Sequence, residues 1–222
     1  MANWLRITLT IATAISFIPQ LNQLWSTKDS VGIAIYYVLF NAIVATSSLA
    51  VFAACINNWP DGGGPFLHKP IDNGDRLNLL QLLVAFLFAF AFFVLTLIYY
   101  PCGNQSPKRA AIIGYTSLFC LTLLPQLSFF IDGTRKMSYG DYLVEIALIP
   151  VWLGHMLATI LGVLAVVLQA RQVLMQLHHK QQQQLISNPV PASALSPLSL
   201  KLQAIVFAVL AISWPWRLHR VL

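Results

Sequence analysis

The chain is short of charge. Only 9% of its 222 residues are Asp, Glu, Lys or Arg, where soluble domains carry roughly 25%. It is also short of cysteine, with three at Cys55, Cys102 and Cys120. They form no CxxC pair, which excludes a disulfide framework and a cysteine-based zinc site. No HExxH, GxSxG, phosphate-loop or dinucleotide fingerprint occurs. Gly62-Gly63-Gly64 lacks the Lys-Ser/Thr that a phosphate loop needs. The sequence therefore offers no catalytic set and no cofactor or metal site, and an enzyme is not expected. The net charge of +6 arises from basic residues scattered through short polar breaks. Without a basic stripe, a nucleic-acid partner is not expected either.

What the chain has in excess is apolar surface: 58% of its residues are hydrophobic. A single core of this size cannot hide that much from water, whereas a bilayer can. The lipid bilayer is the first partner the sequence implies. Each span needs about 20 apolar residues, because backbone groups in lipid must be bonded within the segment. Six segments qualify: Trp4 to Leu24, Val31 to Ile56, Leu77 to Tyr100, Ala110 to Ile131, Tyr142 to Leu168, and Leu198 to Trp216. The first follows Arg6 but runs into Pro19-Gln20 without a cleavage site, so it reads as a retained helix rather than a signal peptide. The expected fold is an all-α integral membrane bundle of six helices. The run His178-His179-Lys180-Gln181-Gln182-Gln183-Gln184 reads as part of a solvated, disordered loop, with a histidine metal site as the weaker alternative. Six basic residues fall on one side and seven on the other. That balance leaves orientation undecided by charge.

The segment after the first apolar run reads Pro19-Gln20-Leu21-Asn22-Gln23-Leu24-Trp25-Ser26-Thr27-Lys28-Asp29-Ser30-Val31-Gly32-Ile33-Ala34. Twelve prolines and thirteen glutamines give roughly 0.7 Pro-Gln dipeptides by chance, so the context carries the signal. Pro19 lacks an N–H and frees the carbonyl four residues earlier. Gln20 brings a donor and an acceptor to that break. Gly32 permits a tight turn or a close helix contact. Asn41 lies nine residues beyond Gly32.

This pattern resembles the PQ-loop motif of the family that includes cystinosin-like and SWEET-like transporters. The run from Gly32 to Asn41 is similar to fungal members. Ala34 departs, since the family often has Ser there. The resemblance implies two parallel three-helix repeats joined by a linker helix. It implies transport of a small polar solute, of the amino-acid or sugar class, by alternating access. It also implies a vacuolar or other endomembrane, with the loop after the first helix in the cytosol. A second Pro-Gln, Pro125-Gln126, ends helix 4 and would place its loop on the wrong side for a parallel repeat. The better second motif starts at Leu168-Gln169. It continues at Ala194-Leu195-Ser196, and Gln203 falls nine residues after Ala194, as Asn41 does after Gly32. The organisation expected is 1–100 as the first repeat, 101–138 as the linker, and 139–222 as a degenerate second repeat. That second repeat holds a Gln-rich insertion at 172–197 and lacks a seventh helix.

Polar side chains inside spans are candidate sites because hydrocarbon penalises them. Asn41, its pseudo-equivalent Gln203, and Tyr37 are the solute-binding candidates. The alternative for such amides is interhelical bonding that holds the bundle together. Pro19, Gln20, Gly32 and Gln169 are the hinge and motif positions. His155, in mid-helix 5, and Glu145, near its start, are rival proton-coupling candidates. Gln81 reads as interfacial at the opening of helix 3. A non-transporting receptor or scaffold on the same helices is the competing function, an inactive truncated homologue is the third, and homo-oligomerisation is left open.

Overall fold

The computed structural model describes residues 3–58, 67, 70–101, 105–132, 142–184, 202, 203, 205, 206 and 209. It contains five helices: α1 (Asn3–Thr27), α2 (Ile35–Asn58), α3 (Asn73–Ile98), α4 (Ser106–Asp132) and α5 (Tyr142–Gln184). No strand occurs among the described residues. All five helices are long and apolar enough to cross a membrane. The sixth expected span lies mostly outside the described residues, although Gln203 is helical and buried.

The helices are amphipathic in the inverted sense. On α1, Ile7, Ile11, Ile15 and Ile18 face outward. Arg6, Thr10, Thr13, Ser16 and Gln20 are buried on the other side. On α5, Leu153, Leu157, Ile160, Leu164 and Val167 are exposed. In water this arrangement would expose a large apolar area for no gain. In lipid it is the stable one, because the outward residues meet acyl chains and the polar groups meet each other. The buried hydroxyls are largely satisfied within their own helices. Thr13 donates to Leu9 O at 2.7 Å, Thr46 to Ala42 O at 2.7 Å and Thr96 to Phe92 O at 2.8 Å.

Helix α3 packs against both α1 and α2, while α2 also packs against α4 and α5. Helix α2 is therefore the central element. Successive helices run in opposite directions, so the α1–α2 loop, the end of α3 and the end of α5 share one face. We call this the loop face.

Several expectations from sequence shift. Helix α2 begins at Ile35 rather than Val31, because Gly32 takes φ 94° and Ile33 N donates to Ser30 O in a turn. A side chain at that positive φ would be strained. Helix α1 stops where Lys28, at φ 50°, donates its N–H back to Leu24 O. Helix α3 begins four residues early, at Asn73, because Asp72 and Asp75 form a reciprocal capping box. Gln81 thus lies two turns inside the helix and is buried, not interfacial. Gly74 in that first turn sits against Arg6 of α1, and a Cβ there would overlap the guanidinium.

The largest correction concerns α5. The break expected from Arg171 does not occur; the helix continues through Gln184 and takes in the His-Lys-Gln run. Gln, Leu, Met and Lys are good helix formers, and no Gly or Pro interrupts the chain between Gly162 and Pro189. At 1.5 Å per residue α5 is about 65 Å long, roughly twice the hydrocarbon thickness. Its spanning part is Leu148–Met175, so the Gln-rich turns extend past the bilayer at the loop face.

Candidate functional site

Tyr37 lies in the first turn of α2, directly after the turn set by Gly32. Its hydroxyl donates to Gln203 Oε1 at 3.3 Å. It also shares a side-chain hydrogen bond with Asn41, one turn further along α2. Gln203 Nε2 reaches Ser16 O of α1 at 3.5 Å, a long contact. Ser16 O is the carbonyl next to that of Ile15, which Pro19 deprives of its helical donor. All three side chains expected to bind solute therefore meet, against α1 at its proline. The site is built from neutral donors and acceptors. Tyr37, Ser16 and Gln203 are buried, whereas Asn41 is half-buried. Such a set can hydrogen-bond a polar molecule that has given up its water, and it offers that molecule no fixed charge.

The motif residues are equally placed. Pro19 lies inside α1, which continues to Thr27. Gln20 is buried and bonded. Gln169 of α5 is also buried, and its amide spans the start of α2: Oε1 accepts from Ala34 N at 3.3 Å and Nε2 donates to Gly32 O at 3.4 Å. The α1–α2 loop is tied on its other side by Ser30, whose N–H and hydroxyl both donate to Tyr99 O, at 3.3 and 3.2 Å.

His155 does not join the Tyr37 cluster. Neighbouring Gly154 faces Thr122 of α4 and Ser47 of α2. Ser47 lies six residues beyond Asn41, about 9 Å along the axis. His155 Nδ1 and Ser47 Oγ are both buried and have no hydrogen-bond partner among the described residues. Glu145 falls within α5, but its side chain lies outside the described residues.

Two buried polar features were not among the site residues expected from sequence. Arg6 is buried, and its Nε and Nη1 have no hydrogen-bond partner among the described residues. The signal in the sequence was its place one turn before Thr10 and two before Thr13, on the polar stripe of α1. Gln126 of the second Pro-Gln pair is buried, and Asn57 Nδ2 donates to its backbone O at 3.1 Å and to its Oε1 at 3.3 Å.

A bundle of inverted-amphipathic spans around a central helix, with polar groups turned inward, defines a multi-pass helical membrane protein. Residues 1–61, which contain α1 and α2, match the family model described as the PQ loop repeat. No curated protein and no solved structure matches it.

Proposed function

We propose that this protein moves a small polar solute of the amino-acid or sugar class across an endomembrane by alternating access. The observation that carries this reading is the meeting of Tyr37, Asn41 and Gln203 against Ser16 O. Two side chains from α2 and one from the last segment converge inside an otherwise apolar bundle. Solute would replace the bonds these groups make to one another, so binding costs them little desolvation. Pro19 gives α1 a point of bending beside the site. The degenerate second repeat enters through Gln169 and Gln203, which occupy places corresponding to Gln20 and Asn41. His155 is the proton-carrying candidate if flux is coupled, as a half-buried imidazole whose buried Nδ1 has no hydrogen-bond partner among the described residues.

The competing reading is a receptor that binds solute without moving it, and the same polar cluster would serve it. Flux into proteoliposomes, screened against amino acids and sugars with and without a pH gradient, separates the two. Saturable uptake supports the transporter; saturable binding with no accumulation inside the vesicle supports the receptor.

A further inference from the structure

Helix α2 is held by a glutamine amide at each end. At the loop face, Gln169 of α5 bonds Gly32 O and Ala34 N. At the opposite face, Gln126 of α4 accepts two bonds from Asn57. Ala34 and Asn57 are 23 residues apart, about 35 Å along a helix, which is close to the full hydrocarbon thickness. Between them, Thr46 and Tyr115 share a hydrogen bond at 2.9 Å. Much of the remaining contact is apolar, with Val38, Leu39, Ala42, Ala111, Ala158 and Ala165 in one cluster. Apolar faces slide and part in lipid at small cost, because acyl chains replace them. Rupture of either end contact leaves a buried glutamine amide short of a partner.

We propose that Gln126 and Gln169 are paired gate latches, each closing the solute path at its own membrane face by tying one end of α2 to the second half of the chain. This rests on the alternating-access reading. Alternating access requires the path to open at one face while it stays closed at the other. Two weak polar clips at opposite ends of one helix meet that requirement, since either can open without the other. The structure has both closed, which is an occluded arrangement around Tyr37, Asn41 and Gln203. Gln126 is thereby a positioning residue for transport, through Asn57, although it lies far from the solute site. Asn41 is 7 residues from Ala34 and 16 from Asn57, about 10 and 24 Å along the axis.

Sided thiol labelling tests this without requiring flux. Cys55, Cys102 and Cys120 are changed to Ser, and Asn41→Cys is the reporter in every variant, so its own effect cancels. A membrane-impermeant maleimide is applied to full-length protein in vesicles of each orientation. Gln126→Leu is expected to raise labelling from the face opposite the loop about three- to tenfold, the shift expected from losing one or two amide bonds in a membrane bundle. Labelling from the loop face should stay level or fall. Gln169→Leu is expected to do the reverse. Asn57→Leu removes the Gln126 contact from its other partner and should reproduce the Gln126→Leu pattern. It serves where Gln126→Leu reduces folded protein. The double variant Gln126→Leu/Asn57→Leu should label no faster than either single one. Equal acceleration at both faces, no acceleration at either, or additive effects in the double variant would overturn the proposal. Sided labelling in a protein that shows no flux would keep the latches and dismiss the transporter.

Discussion

The two halves of the chain carry the same amides on different scaffolds. In the first half Gln20 follows Pro19 within a motif that reads clearly. In the second, Gln169 follows Leu168, with no proline and a long extended helix after it. Yet both glutamines are buried and both are bonded. The pair Asn41 and Gln203 behaves likewise, differing by one methylene and meeting through Tyr37. What Gln20 and Gln169 share is a buried amide with a partner. Proline is the variable part. A buried amide with partners is costly to lose, because the partners are then left unsatisfied in lipid. A kink can be supplied or omitted.

Six substitutions probe this comparison. Gln203→Leu removes contacts to Tyr37 and to Ser16 O, and solute flux should fall about tenfold or more while folded protein stays near wild type. Unchanged flux would mean that only the first half contributes to the site. His155→Gln should abolish the extra flux driven by a pH gradient and leave solute exchange intact. If Glu145→Gln does so instead, about 15 Å away along α5, the histidine is a packing residue. Gln20→Leu and Gln169→Leu should each lower stability by about 1–2 kcal/mol in detergent denaturation. Unequal costs would show that the amides are not counterparts. Pro19→Leu should have the smallest effect, a roughly two- to threefold slowing with stability retained or slightly raised. A complete loss of flux would make the proline, rather than the amide, the working part of the motif.

The spans were legible because hydrocarbon demands about 20 apolar residues per helix, and each of the five described helices contains such a stretch. Asn41 and Gln203 were picked out by their spacing, nine residues after Gly32 and Ala194, and Tyr37 as an aromatic near a helix end; the structure brings the three side chains together. Boundaries were less so. Val31 to Ala34 looks as apolar as the helix that follows, and only Gly32 adopting positive φ separates them. The Asp72–Asp75 capping box lay in a stretch read as loop, which hid the early start of α3 and the burial of Gln81. Low complexity suggested that the Gln-rich run was a loop, whereas its helix propensity and lack of Gly or Pro let α5 continue. Gln126 was set aside on sidedness as a repeat motif. That argument says nothing about a contact to Asn57, because sequence alone does not show that α4 ends beside the end of α2. Arg6 was considered only in relation to a signal peptide, and its packing against Gly74 depends on the α1–α3 interface.

The central claim is that Tyr37, Asn41 and Gln203 form the place where solute is held during transport. Flux and folded fraction measured together for Asn41→Ala in proteoliposomes test it most directly. The account predicts uptake reduced about tenfold or more, with the amount of monodisperse folded protein unchanged. A parallel loss of flux and folded protein would contradict it and make the Asn41 amide a structural contact of the bundle.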